Sequence, residues 1–186
     1  VQLTEENTTL ATNLDSAHVR NMELTSARAA LASEKDAIEA ERSFLAKKVN
    51  IASVVKVNKV EANGLKVKGS GKSVSRNSAK NTDQIQVCFN TTVNEVVEPG
   101  NEQFFIRIIN PLGETLAVEE LGSGVFTSNA NGEQIRYTQI EDVDYNHNEQ
   151  QVCAVWSPNQ TFAEGNYKIE VYNKGYLAGS TTLRLK

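Results

Sequence analysis

Apolar side chains recur every seven residues along the first part of the chain, and from about Ile51 onward that period falls to two. Leu3, Leu10, Ala17, Leu24, Leu31, Ile38 and Leu45 form an unbroken series at the longer spacing. A strict repeat of seven keeps one seam facing a partner only when helices supercoil left-handedly about each other, so the spacing predicts a coiled coil. With this series at heptad position d, position a holds Asn7, Leu14, Asn21, Arg28, Lys35, Arg42 and Val49. The stripe is too narrow for a helix lying on a globular core and suits a second helix. Asn at a favours a two-stranded pairing, because paired amides hydrogen-bond across a dimer seam. In a parallel pair Lys35 and Arg42 approach Glu34 and Glu41 of the partner helix, whereas an antiparallel pair would set them against Leu. The expected seam is that of a parallel homodimer through Leu3, Asn7, Leu10, Leu14, Ala17, Asn21, Leu24, Leu31, Ile38 and Leu45. It lies on a helical domain of residues 1–50, roughly 70 Å long at ~1.5 Å per residue.

The period of two predicts about nine short strands over a second domain, residues 51–186. Val55 and Val57, then Leu65 and Val67, read as two strands around an Ala62-Asn63-Gly64 turn. Ile85 to Phe89 alternates, Gln103 to Asn110 follows the Pro99-Gly100-Asn101 turn, and Thr115 to Val118 and Val125 to Thr127 are short segments. After Asn131-Gly132 come Ile135 to Gln139, Gln151 to Trp156, Tyr167 to Tyr172, and Tyr176 to Leu185. Turn signals this frequent, with no helical period, predict a β-sandwich. The fold class expected is α+β by content: a long coiled-coil helix followed by an all-β Ig-like sandwich.

Composition sharpens the division. All 11 Gly lie between Gly64 and Gly179, all 3 Pro come after residue 98, and Phe44 is the single aromatic before Phe89. The net charge of -4 argues against a general nucleic-acid binder, and no nucleic-acid partner is expected. No run of 18 apolar residues occurs, so any membrane attachment is expected only through an upstream segment, a signal peptide, lipid anchor or membrane helix, preceding Val1. Charge is uneven within the second half. Lys56, Lys59, Lys66, Lys68, Lys72, Arg76 and Lys80 stand against one acid, Glu61, whereas Asp83 to Glu149 holds twelve acids against Arg107 and Arg136. The seven cations are a candidate patch for an anionic polymer or lipid head groups, set against the plainer reading of a solvated hairpin.

The run FxxGxYxIEVYNxGxxxGxTxxL, Phe162 to Leu183, resembles the final hairpin of Ig-like domains in bacterial envelope proteins. Together with IQVCFN, FFIRIINPLGETL and VCAVW behind a coiled coil, it is similar to a group of uncharacterised bacterial proteins of that build. The resemblance implies a cell-envelope location, periplasmic or membrane-anchored, and an envelope protein or glycan as partner. It implies no activity. Antibody-type landmarks are missing: Trp156 follows the second cysteine, and Gln151 occupies the place of a corner tyrosine.

Chemical motifs are incomplete. Gly69-Ser70-Gly71-Lys72-Ser73 has the end of a phosphate loop, but Lys66 stands where its first Gly belongs and no helix pattern follows, so a strand connection is expected. Glu141, Asp142, Asp144, Asn146, Asn148 and Glu149 around His147 suggest calcium ligands, yet His147 and Cys153 occupy positions that need Gly and an acid, so the expectation is a solvated acidic connection. His18 lies on the coiled coil, which leaves one imidazole for any triad, and no nucleophile, base and orienting group can be named together. Neither an enzyme, a cofactor nor a metal site is expected. Cys88 and Cys153 sit in apolar contexts and read first as two small buried side chains, with a disulfide as the alternative. The function expected is a non-enzymatic structural or interaction protein. The alternatives are a glycan- or peptide-binding module using Tyr137, Tyr145, Trp156, Tyr172 or Tyr176 as an exposed platform, and then a hydrolase.

Overall fold

The computed structural model describes residues 2–186. Its contacts divide the chain into two compact units, Val1–Lys48 and Val49–Lys186. The first is helical: α1 runs from Gln2 to Ala52 with no buried residue. That continuity follows from the absence of Gly and Pro, each of which weakens or breaks a helix interior. The helix ends where Ser53 and Val54 tighten its last turn with bonds to Val49 O and Ile51 O. Val54 and Val55 are already buried in the β unit.

The β unit is a sandwich of antiparallel sheets. Its strands are β1 (Val57–Val67), β2 (Ser73–Ser75), β3 (Gln84–Thr91), β4 (Gly100–Ile109), β5 (Gly124–Thr127), β6 (Gln134–Tyr137), β7 (Gln139–Tyr145), β8 (Gln151–Trp156), β9 (Gly165–Asn173) and β10 (Tyr176–Leu185). One sheet has the order β2-β1-β3-β8, the other β10-β9-β4-β7, and β5 pairs with β6 alone. Alternation drives the packing. Ile85, Val87 and Phe89 of β3 and Ala154 and Trp156 of β8 face Phe104, Ile106 and Ile108 of β4 and Tyr167, Ile169 and Val171 of β9, all buried. The Phe89 and Phe104 rings meet at 5.2 Å between the sheets. Each such side chain contributes about 1.5–3 kcal/mol of burial free energy, so these two rows carry the fold.

Four expectations are corrected. Ala62-Asn63-Gly64 is not a turn, because β1 runs straight through it with a register shift between Asn58 and Glu61. Gly64 is needed there for a close approach: a Cβ would stand 2.6 Å from Arg76 O. Thr115 to Val118 forms no strand and makes one bridge, Ile109 to Thr115, before a 3₁₀ turn at Glu119–Leu121. The acidic connection is in part a strand, β7, whose Val143 and Tyr145 point inward while Asp142 and Asp144 alternate outward. The exposed aromatic platform does not form, since Tyr145, Trp156 and Tyr172 are buried and Tyr137 and Tyr176 are half-buried.

The buried aromatics have structural partners. Tyr145 donates its hydroxyl proton to Thr92 O and accepts from Asn94 N, tying the β3–β4 loop down. The hairpin β5–β6 lies over the outer face of the second sheet, where Phe126 meets Phe105 at 4.8 Å and Tyr172 at 5.1 Å, and Tyr137 meets Phe105 at 5.1 Å. Tyr167, near the start of β9, is 1% exposed and donates to Ala163 O at 2.9 Å. Burial pushes this phenol above its ordinary pKa. Tyr167→Phe is expected to lower the unfolding free energy by about 1 kcal/mol, the worth of one hydrogen bond plus the stranded carbonyl, measurable as a shift in denaturant midpoint without a change of slope.

Candidate functional site

The expected seam residues are all exposed on α1, with the Leu and Ile positions ranging from 77% at Leu3 to 49% at Ile38. Position a continues with Val49, also exposed. Within the helix, Thr8, Thr9, Thr12, Ser16 and Thr25 return their hydroxyls to carbonyls four residues back. Lys35 is paired with Glu39 on the same helix at 3.6 Å. The Leu and Ile positions have no such internal partner, because side chains of this length on one helix cannot cover each other's seam face.

The seven cations of the candidate patch do not form one surface. Lys56 donates to Leu177 O and Lys59 lies 3.4 Å from Glu149, near one end of β1. Lys66 lies 2.9 Å from Asp83 near the other end, and Lys68 and Lys72 frame the β1–β2 hairpin, where Lys68 N bonds Lys72 O. Nine residues of strand at ~3.3 Å each separate Lys59 from Lys68 by about 30 Å. Among the described residues Lys68, Lys72, Arg76 and Lys80 make no ion pair. The hydrogen bond from Lys66, then that from Val67 N, holds Asp83 below the usual carboxylate pKa. Hydrogen bonding from Asn90, then the charge of Lys59, does the same for Glu149. Gly69 to Ser73 is therefore the hairpin connection, with Gly71 at φ +79° making the turn.

The densest ionisable cluster is one the sequence reading missed. Glu170 on β9, whose side chain is 7% exposed, accepts from Lys168 Nζ at 2.7 Å, Arg107 Nη1 at 3.2 Å and Tyr172 OH at 2.9 Å. Arg107 Nε in turn donates to Thr115 Oγ1. The signal was the facing register of Arg107 and Glu170 on β4 and β9, which alternation alone cannot reveal. Burial would push the Glu170 carboxyl up, but the bonds from Lys168 and Tyr172 and the charges of Lys168 and Arg107 outweigh it and hold it below its ordinary value. Burial, then the bond to Glu170, raises the Tyr172 phenol. A carboxylate with a depressed folded pKa stabilises the protein above its unfolded value, about 4.3, and that share is lost as pH falls through the folded value. Thermal melts between pH 6 and pH 3 are therefore expected to show a smaller acid loss in Glu170→Gln than in the parent, although the variant is less stable at neutral pH.

A cavity of about 160 Å³ lies beside Trp156, Phe162, Tyr167, Leu116 and Asn110, with no Asp, Glu, His, Lys or Arg in its lining. The Trp156 Nε1 proton, buried beside it, has no acceptor. Among the described residues no three of His, Cys, Asp and Glu stand close enough to hold a metal ion, and no helix is long and apolar enough to cross a membrane.

The cysteines correct the first reading. Cys88 and Cys153 are bonded, and they are direct partners on the adjacent strands β3 and β8 with Cα atoms 4.1 Å apart. Neither points into the core: Cys88 is half-buried and Cys153 exposed, because core positions on these strands are odd-numbered on β3 and even-numbered on β8.

The sequence profile of a domain of unknown function, DUF8428, matches residues 58–186. The chain belongs to this family, and the matched span is the sandwich from the second residue of β1 onward. No curated protein matches the chain. A similar solved structure is the alkylpurine DNA glycosylase AlkC of Pseudomonas fluorescens bound to DNA containing an abasic-site analogue, at 11% identity and a TM-score of 0.37. The match covers 71% of this chain and 30% of that one, and a likeness so slight supports no statement about activity.

Proposed function

We propose that this chain is a non-enzymatic structural and interaction protein of the bacterial cell envelope, in which a parallel two-stranded coiled coil carries Ig-like sandwiches. The observation that carries the reading is the heptad stripe from Leu3 to Leu45, wholly exposed on the helix. A second copy supplies the same stripe, and a parallel arrangement pairs Asn7 with Asn7 and Asn21 with Asn21.

The Ig-like assignment is supported by strand order. Taking β1, β3 and β8 as strands A, B and E, and β4, β7, β9 and β10 as C, C′, F and G, the two sheets read A-B-E and G-F-C-C′. Tyr167 supports it independently: a tyrosine near the start of strand F bonding to backbone four residues upstream is the corner contact of such sandwiches. In this assignment the second cysteine lies on strand E, so the corner tyrosine does not fall at Gln151. The envelope location is supported by the disulfide, since such bonds persist in oxidising compartments and are rare in the cytosol. For an anionic envelope component, the contact narrows to the β1–β2 hairpin with Lys66, Lys68 and Lys72.

The test is mass in solution. Light scattering of the full chain at micromolar concentration is expected to give twice 20.4 kDa. One chain mass overturns the proposal, and three chain masses overturn its dimeric form.

A further inference from the structure

The Cys88–Cys153 bond holds an unusual place for a stabilising link. It joins neighbouring strands of one sheet, and both sulfurs belong to the outward row. Val87, Phe89 and Ala154 on either side of them fill the core, so β3 and β8 are held together by packing as well as by the bond. β8 is the edge strand of its sheet, which leaves Cys153 without a neighbouring strand on its far side. While β5–β6 covers the outer face of the other sheet, the surroundings here are mostly polar side chains, Glu61, Asn63, Gln86, Asn90 and Gln151, exposed or half-buried, with the exposed Val155 two residues from Cys153.

We propose that this disulfide is a thiol-exchange site that reacts in the folded protein, with Cys153 as the sulfur attacked by an external thiol. The external thiolate forms a bond to Cys153 Sγ as the Cys88–Cys153 bond breaks, and the electron pair of that bond departs on Cys88 Sγ, which takes a proton from water. The product is a mixed disulfide on Cys153 and a free thiol at Cys88. A second external thiolate then attacks the external sulfur of the mixed disulfide, releasing Cys153 as a thiolate and the external thiol as its own disulfide. Two electrons have passed from two external thiols to the protein.

Access sets the direction of attack, because Cys153 is exposed and Cys88 half-covered. Glu61 acts against the departure. It stands opposite Cys88 in register, and cross-strand partners lie ~5 Å apart at Cβ. At a carboxylate-to-sulfur separation of about 5–10 Å through water, the charge opposes a developing thiolate by a factor of about two to four, small beside the difference in access. Glu61 is thus a brake on exchange and does not redirect it.

The experiment uses the intact oxidised chain with excess reduced glutathione at about pH 8, close to the ordinary thiol pKa, quenched with N-ethylmaleimide. Trypsin separates the cysteines, since Cys88 falls in residues 81–107 and Cys153 in residues 137–168. Glutathione is expected on the Cys153 peptide in about tenfold excess, with the near-ultraviolet signal of Trp156 retained. Glu61→Gln is expected to speed the first step about two- to fourfold. Exchange that appears only in denaturant, or glutathione equally on both cysteines, overturns the proposal. An unchanged rate in Glu61→Gln removes the brake from it.

Discussion

Replacing Leu24 and Leu31 together by lysine is expected to reduce the particle from two chain masses to one while the sandwich keeps its melting temperature. Each substitution acts twice in a homodimer, so four leucine side chains leave the seam and four ammonium groups enter it. Loss of burial alone costs about 6–12 kcal/mol at about 1.5–3 kcal/mol per side chain, and each 1.4 kcal/mol is tenfold in dissociation constant. The shift of at least about four decades takes a micromolar sample wholly to monomer. The sandwich is spared because its core, Val55 to Leu185, draws on no residue of the seam. Light scattering combined with a thermal melt reads both halves of this expectation. A dimer that survives the double substitution would place the interface on the sandwich.

The second large effect is expected from Cys88→Ser with Cys153→Ser. The bond spans 65 residues of sequence, and closing a loop of that length in the unfolded chain contributes about 4 kcal/mol in the chain-entropy account. Because the sulfurs lie outside the core, no cavity is created and no further penalty adds to this figure. Against a stability of about 5–15 kcal/mol typical of single domains, the variant stays folded but its denaturant midpoint falls sharply. A loss below about 1 kcal/mol would mean that β3 and β8 stay associated in the denatured chain. An unfolded variant would mean that packing alone does not hold the edge strand, and would also remove the basis for exchange in the folded state.

Much of the architecture was legible because the two periods are unambiguous. The heptad series placed α1, with its end two residues short of Ala52, and alternation placed β3, β4, β8, β9 and β10 almost as they stand. Errors fell where a local signal has two outcomes. Asn63-Gly64 signals a turn, but here the glycine serves the close passage of Arg76 O over a continuous strand, a contact between residues far apart in sequence order. The run Glu141 to Glu149 is rich in acids, so it read as a loop, yet its inward positions Val143 and Tyr145 suffice to seat β7 beside β4. Tyr145 reads as part of a candidate ligand platform because a sequence shows the aromatic ring but not the carbonyl that its hydroxyl finds, here Thr92 O.

By itself the sequence determined the long helix, its apolar stripe of period seven and the all-β character of the second unit. These depend on periodicity and on residue types within a short window, where backbone geometry leaves few choices. Tertiary structure alone decided that β3 and β8 are neighbours, and with that the disulfide, its outward face and Glu61 beside it. It also decided the Arg107–Glu170 pairing and the covering of one sheet by β5–β6. Strand pairing is a long-range choice, and a shift of one residue in register turns every side chain to the opposite face. The same two cysteines are therefore core residues in one register and an exposed, reactive bond in the other.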